Sequence, residues 1–138
     1  MNTETTDRRS VLDLTIASRR RTAEKVVADF VEGIGQTGVA NAIKWSGVTV
    51  IVAEQVAALL TRFEEIRDED GIDRALEFAA ARSDDATRQL GWYDPTSTST
   101  SIASTMVDQA MYKAHRRIIE IAEELRESAA VDAEEDQR

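Results

Sequence analysis

Hydrophobic and polar positions alternate in two short segments near the N-terminus. In the first, residues 11–16, the side chains of Leu12, Leu14 and Ile16 share one face, and polar residues share the other. In the second segment, residues 39–45, alternation places Val39, Asn41, Ile43 and Trp45 on one face, opposite Ala40, Ala42 and Lys44, and Gly38 and Gly47 bracket the segment. Trp45, at its end, is expected in the core or in a dimer interface. A period of two residues is typical of a half-buried strand, so the pattern predicts a strand in each segment.

Helical spacing follows each alternating segment. Thr22 is a candidate N-cap for a helix with an apolar face over residues 23–31, and Gly33 is a candidate for its end. Residues 48–67 begin with a β-branched run but continue at helical spacing, which predicts a second, buried helix. The spacing is clearest in residues 110–128, for which we predict an amphipathic C-terminal helix.

The segments between these elements are less regular. Residues 72–81 and residues 96–107 each fit either a strand or a helix. The Asp-Glu-Asp-Gly run at 68–71 predicts an exposed turn, and residues 83–99, which hold the only Pro, predict a loop.

The length of 138 residues predicts one domain, which we place at residues 11–128. Residues 1–10 are polar and are expected to form a disordered arm, whereas residues 129–138 are expected to form an acidic tail.

The composition is that of a soluble globular protein, with 42% hydrophobic and 31% charged residues. The chain contains no Cys, which excludes disulfides and thiolate metal sites. The N-terminus lacks the apolar core of a signal peptide, and the longest nearly uncharged stretch, residues 33–61, is interrupted by polar and charged residues. The sequence therefore predicts a cytoplasmic protein with no membrane span.

The formal net charge is −9, and Arg is favoured over Lys. An excess of carboxylates of this kind indicates adaptation to a salt-rich environment. Residues 8–25 are the exception, with a local charge of +4, and they include the triplet Arg19, Arg20 and Arg21. The triplet falls where the first predicted strand gives way to a helix N-terminus, a position that suits a phosphate.

Four short motifs follow the predicted order of strand, basic turn, helix, strand and helix. They are Leu-Thr-Ile-Ala-Ser-Arg-Arg-Arg at 14–21, Val-Val-Ala-Asp-Phe-Val-Glu-Gly at 26–33, Ala-Ile-Lys-Trp-Ser-Gly at 42–47, and the apolar segment at 50–63. Together they resemble the front half of the Alba family, which includes relatives such as stage V sporulation protein S. The resemblance implies an α/β (α+β) fold, a βαβαββ two-layer sandwich, here with an additional C-terminal helix. An all-α helical bundle is the alternative.

The same resemblance implies a homodimer that contacts the phosphate backbone of DNA or RNA with little sequence specificity. In this family the first strand–helix turn supplies basic contacts, which correspond here to Arg19, Arg20 and Arg21. Lys44 in the second turn and Arg88 in the segment matching the family's hairpin arm complete the expected nucleic-acid-binding set. Because the triplet would lie in an exposed turn, replacing all three residues should leave the fold intact.

The sequence gives little support to catalysis or metal binding. His115 is the only His, so it has no second His or Cys with which to hold a metal. Phosphate-loop, dinucleotide-binding and nucleophile motifs are absent from the sequence. We therefore predict that the protein is not an enzyme and that it binds no cofactor and no small-molecule substrate. The alternative function is a protein-interaction or assembly module without nucleic-acid binding, whose apolar surfaces and final helix mediate oligomerisation.

Overall fold

The computed structural model describes residues 10–92 and 102–137. These residues form four α-helices and no strand. The helices are α1 (Val11–Thr37), α2 (Val39–Asp70), α3 (Ile72–Leu90) and α4 (Ile102–Asp136). The predicted Alba-like α/β sandwich is therefore wrong, and the chain folds as the alternative, an all-helical bundle.

The first predicted strand is wrong because its alternation contains a helical period. Leu12 and Ile16 are buried, with 4% and 2% of their surface exposed, and they lie four residues apart, about one helical turn. Leu14, which a strand would place beside them, is 53% exposed. Positions 12 and 16 fit both periods, so only the exposure of Leu14 distinguishes the helix from the strand.

The second predicted strand is wrong for the same reason. Ala42, assigned to the opposite face from Ile43 and Trp45, is the buried residue, and it packs toward Gly33 of α1. Gly47, a predicted strand boundary, lies within α2 and is buried beside Met106 of α4. The segment therefore continues into the predicted helix at 48–67 as one uninterrupted α2.

The ends of α1 differ from those predicted. Ser10 is the N-cap, and its side-chain oxygen accepts a hydrogen bond of 3.0 Å from the backbone N–H of Asp13. Thr22, the predicted cap, lies inside the helix and donates its hydroxyl hydrogen to the Ser18 carbonyl. The helix also continues through Gly33 and ends at Thr37.

Single glycines form the first two turns. Gly38 separates α1 from α2 with φ of 89°, and Gly71 separates α2 from α3 with φ of 96°. Each donates its backbone N–H to the carbonyl four residues earlier, which caps the preceding helix. Because a side chain strains the backbone at such φ values, glycine is needed at both positions.

Several ambiguous or irregular segments are helical. Residues 72–81 belong to α3, which continues to Leu90 and so replaces the first part of the predicted loop at 83–99. Residues 102–107 begin α4, and residues 1–9, 93–101 and 138 lie outside the described residues. The predicted helix at 110–128 lies within α4, which extends it at both ends and continues through most of the segment expected to be an acidic tail.

Consecutive helices run antiparallel. Ion pairs join Asp13 to Arg67 and Arg20 to Glu64, so α1 and α2 pack in opposite directions. α4 packs along α1, α2 and α3, whereas α1 and α3 do not pack on each other within the described residues. The cross-section is therefore rhombic, with α2 and α4 on its short diagonal.

The core is centred on that diagonal. Its fully buried side chains include Leu60 and Phe63 of α2 and Ile118, Ile121 and Leu125 of α4. The interior positions of α3 are small, and they are Ala75, Ala79 and Ala86. Small residues let a helix approach its neighbours closely, so α3 closes one side of the core with alanines at its fully buried positions, and its larger side chains Leu76 and Phe78 pack against the core only partly buried.

The end of α4 holds the start of α1. The Asp132 carboxylate accepts hydrogen bonds from the backbone N–H groups of Val11 at 2.8 Å and of Leu12 at 3.0 Å. The first N–H groups of a helix have no partner within the helix, and a negative charge is favourable there. One turn further, the hydroxyls of Thr15 and Ser128 are 2.8 Å apart. Asp132 therefore caps α1 from another helix.

We expect Asp132→Ala to lower the free energy of unfolding by about 1 kcal/mol, the usual cost of losing a helix cap. Asp136→Ala, at an exposed position at the end of the same helix, is the matched control and should change stability little. Urea unfolding followed by circular dichroism at one fixed salt concentration measures both variants. Equal losses in the two variants would show that Asp132 acts only through its charge at the helix end.

Candidate functional site

The basic triplet lies in the middle of α1 and not in a turn. Arg19 binds Glu124 of α4 with both its Nε, at 2.8 Å, and its Nη2. Arg20 Nη1 lies 2.8 Å from the Glu64 carboxylate of α2. The hydrogen bonds that the Arg19 guanidinium donates to the Glu124 carboxylate raise the pKa of Arg19 above its ordinary value. Two of the three predicted phosphate ligands are thus engaged in ion pairs that join α1 to its neighbours.

The other predicted nucleic-acid contacts lie on three different helices. Arg21 is exposed on α1 and makes no ion pair with a described residue. Lys44 of α2 is exposed, with its Nζ 5.4 Å from the centre of the Trp45 ring. Arg88, close to the end of α3, pairs with Asp85. Binding of a nucleic-acid backbone by these residues stays a prediction.

The structure contains a second basic cluster that was not predicted from the sequence. Lys113, Arg116 and Arg117 of α4 line a groove of about 390 Å³ whose other side includes Val48 and Val52 of α2. Arg117 pairs with Glu120 at 3.3 Å, and the Arg116 guanidinium lies 5.9 Å from the centre of the Tyr112 ring. The signal was present as the Lys-Ala-His-Arg-Arg run at 113–117, which was considered only for its histidine.

That histidine is part of the interior. His115 is 3% exposed, and its burial, together with the charge of Arg82 on α3, lowers its pKa below the ordinary value. Burial therefore favours the neutral form of the His115 imidazole. Within the part of the chain that the structure describes, no cluster of three or more His, Asp or Glu side chains is arranged to hold a metal ion.

The most unusual surface is at the α1–α2 turn. We define the hairpin tip as residues 33–53, which comprise the end of α1, Gly38 and the first part of α2. Lys44 is its only charged residue, although 31% of the whole chain is charged. Only Ala42, Gly47 and Ala53 are buried within it. The tip is therefore nearly uncharged and largely accessible.

Large apolar side chains are exposed on the tip. Trp45 is 77% exposed, Val39 56% and Ile43 41%, and Val31, just before the tip, is 61% exposed. Residues in a helix are about 100° apart, so Ile43 and Trp45 point to nearly opposite sides of α2. α4 contacts the tip through Met106 on the side of Gly47, which leaves Trp45 pointing away from that contact.

The tip is accessible because the helices differ in length. α2 has 32 residues and ends at the turn at Gly71, whereas α3 begins after the same turn and has only 19 residues. At 1.5 Å per residue, the first part of α2 extends roughly 20 Å beyond the end of α3. Of the described elements, only the beginning of α4 and the end of α1 accompany it there.

By length and composition alone, α2 is apolar enough to cross a membrane. Core helices of globular proteins satisfy the same criterion, and the second half of α2 supplies Leu60 and Phe63 to the core. The apolar character of this half is therefore explained by packing. The exposed first half requires a different explanation.

Comparison of the chain with protein-family models, curated protein sequences and solved structures returns no match. Function must therefore be inferred from the surface itself.

We expect Arg19→Ala to lower the free energy of unfolding by up to about 1 kcal/mol, because it removes a half-buried ion pair between α1 and α4. Arg21→Ala removes an exposed charge of the same segment and should change stability by less than about 0.5 kcal/mol. Urea unfolding at the lowest salt concentration that keeps the protein folded gives the comparison, since salt screens such pairs.

A double-mutant cycle with Glu124→Gln separates the pair from other effects of the substitution. The two changes should be less than additive. Full additivity, or equal effects of Arg19→Ala and Arg21→Ala, would support the exposed-turn interpretation of the triplet.

Proposed function

We propose that this protein is a helical interaction module that binds a protein surface through its hairpin tip. The observation that carries the proposal is the exposure of Trp45, Ile43 and Val39 on a nearly uncharged helical hairpin. Val39 and Ile43 lie one helical turn apart on one side of α2 and Trp45 lies on another side, so apolar surface is exposed around the tip. Large exposed apolar surfaces mark binding sites in soluble proteins. Trp in particular is enriched among the residues that dominate interface energies.

The charge around the tip supports a protein partner over a lipid bilayer. Glu32 and Glu54 flank the uncharged segment, and the whole chain carries a net charge of −9. Helices that bind membrane surfaces usually carry Lys or Arg on their polar face, which anionic lipids attract. Lys44 is the only such residue in the tip, and acidic residues border it on both sides.

The scarcity of positive charge on the tip also argues against a nucleic-acid site there. Binding to a phosphate backbone requires several cations that release counterions from the nucleic acid. The tip offers only Lys44. The predicted contacts through Arg19, Arg20, Arg21 and Arg88 lie outside the tip, so the proposed module would act without them.

Photo-crosslinking in cells grown at high salt tests the proposal. A photoreactive phenylalanine analogue replaces Trp45 in one variant, and it replaces Leu14, a 53% exposed apolar residue on the body of the bundle, in the control. We expect a discrete protein adduct from position 45, because the tip is buried against a partner, and none from position 14.

The chemical class of the adduct decides between the alternatives. A protein adduct specific to position 45 supports the module, whether the captured protein is a second copy of the chain or another protein. Lipid or nucleic-acid adducts at position 45, or equal protein labelling at positions 14 and 45, would contradict it.

A further inference from the structure

We infer that the partner of the hairpin tip is a second copy of this chain, bound tip to tip about a twofold axis. The inference rests on the proposed interaction function and identifies its partner. Three features carry it, namely the distribution of charge, the number of helices at the level of the tip and the position of Trp45.

The charge distribution permits self-association at the tip and opposes contact between the acidic surfaces of the two bodies. Two copies with a net charge of −9 repel each other, and this repulsion is weakest where the contact surfaces are uncharged and the acidic bodies are far apart. Tip-to-tip contact satisfies both conditions, because the 21 residues of the tip hold one charge. Side-by-side contact would place the acidic bodies against each other.

The number of helices favours another hairpin as the occupant. Four helices surround the core along the body of the bundle, but α3 ends before the tip. The hairpin of a second copy brings two helices of the same length and the same apolar character to this level. The beginning of α4 also reaches this level at Gly47, so the second hairpin would pack against the side of the α1–α2 hairpin that α4 leaves uncovered, which is the side of Trp45.

Trp45 occupies the position that such a contact needs. It points away from the side of α2 that Met106 of α4 covers, and it is 77% exposed. In an interface with twofold symmetry each residue faces the same surface from the opposite direction, so an apolar side chain near the axis is buried in both copies. A second Trp45 and the neighbouring Val48 provide that apolar surface.

Sedimentation and light scattering on the purified full chain test the inference. At micromolar concentration and high salt the parent should have twice the mass of 15.3 kDa. The variant Trp45→Ser should raise the dimer dissociation constant by about 30-fold, as expected when a central aromatic residue of an interface is lost. Leu14→Ser, which also removes an exposed apolar side chain, should remain dimeric.

Distance measurements test the geometry without disturbing the interface. Because the chain has no Cys, single spin labels can be placed at Gln36→Cys on the tip and at Asp73→Cys at the far end of the bundle. For tips that overlap by roughly 20 Å, the labels at position 36 should lie about 20–30 Å apart and those at position 73 about 70–80 Å apart.

The outcomes separate this inference from the proposed function. A monomeric parent, equal dissociation of the Leu14→Ser control, or short distances between positions 73 would overturn the second copy as partner. If a different protein were nevertheless captured at position 45 in cells, the interaction function would stand with another partner. Loss of helical content in the Trp45→Ser variant would invalidate that variant alone, and the label distances would then decide.

Discussion

The difference in length between α2 and α3 determines most of what is distinctive about this protein. α2 must be long enough to carry Leu60 and Phe63 in the core and still continue to the turn at Gly38, whereas α3 ends at Leu90. The body of the bundle therefore has a closed core, and the hairpin extends beyond it with its apolar side chains exposed. An exposed apolar surface therefore arises from the same sequence character that builds the core.

The body of the bundle and the hairpin tip also differ in their charge. In the body, cations join helices to one another, as in the pairs of Arg19 with Glu124 and Arg67 with Asp13, so part of the excess of carboxylates is neutralised within the fold. The tip has no charge except Lys44. High salt screens repulsion between the acidic bodies while leaving apolar burial effective, which makes a salt-rich environment compatible with the proposed assembly through the tip.

The sequence predicted the helical interiors better than it predicted their limits or the fold. Helical spacing in residues 48–67 and 110–128 located parts of α2 and α4, because those faces are buried over several turns. Residues 11–16 and 39–45 were wrongly predicted as strands, since Leu12 and Ile16 fit a period of two as well as a helical turn. The ion pair between Arg19 and Glu124 joins residues 105 positions apart, and local pattern does not contain that information.

Trp45 shows how the candidate site was missed. The alternation of residues 39–45 suggested a place for Trp45 in a core or a dimer interface of the sandwich, and only the lengths of the four helices reveal that it is exposed on a hairpin. Gly47 likewise suggested a boundary, although its small size serves the contact with Met106. The chemical character of the tip was readable from the sequence, but its exposure was not.

Hydrogen exchange measured across a range of protein concentrations tests the central claim most directly. If the tip is an interface, amide protection in residues 39–51 should rise with concentration at constant salt, while protection in the core segment around Leu60 and Phe63 stays constant. The account would be contradicted if amide protection in residues 39–51 changed neither with protein concentration nor on addition of a protein captured at position 45.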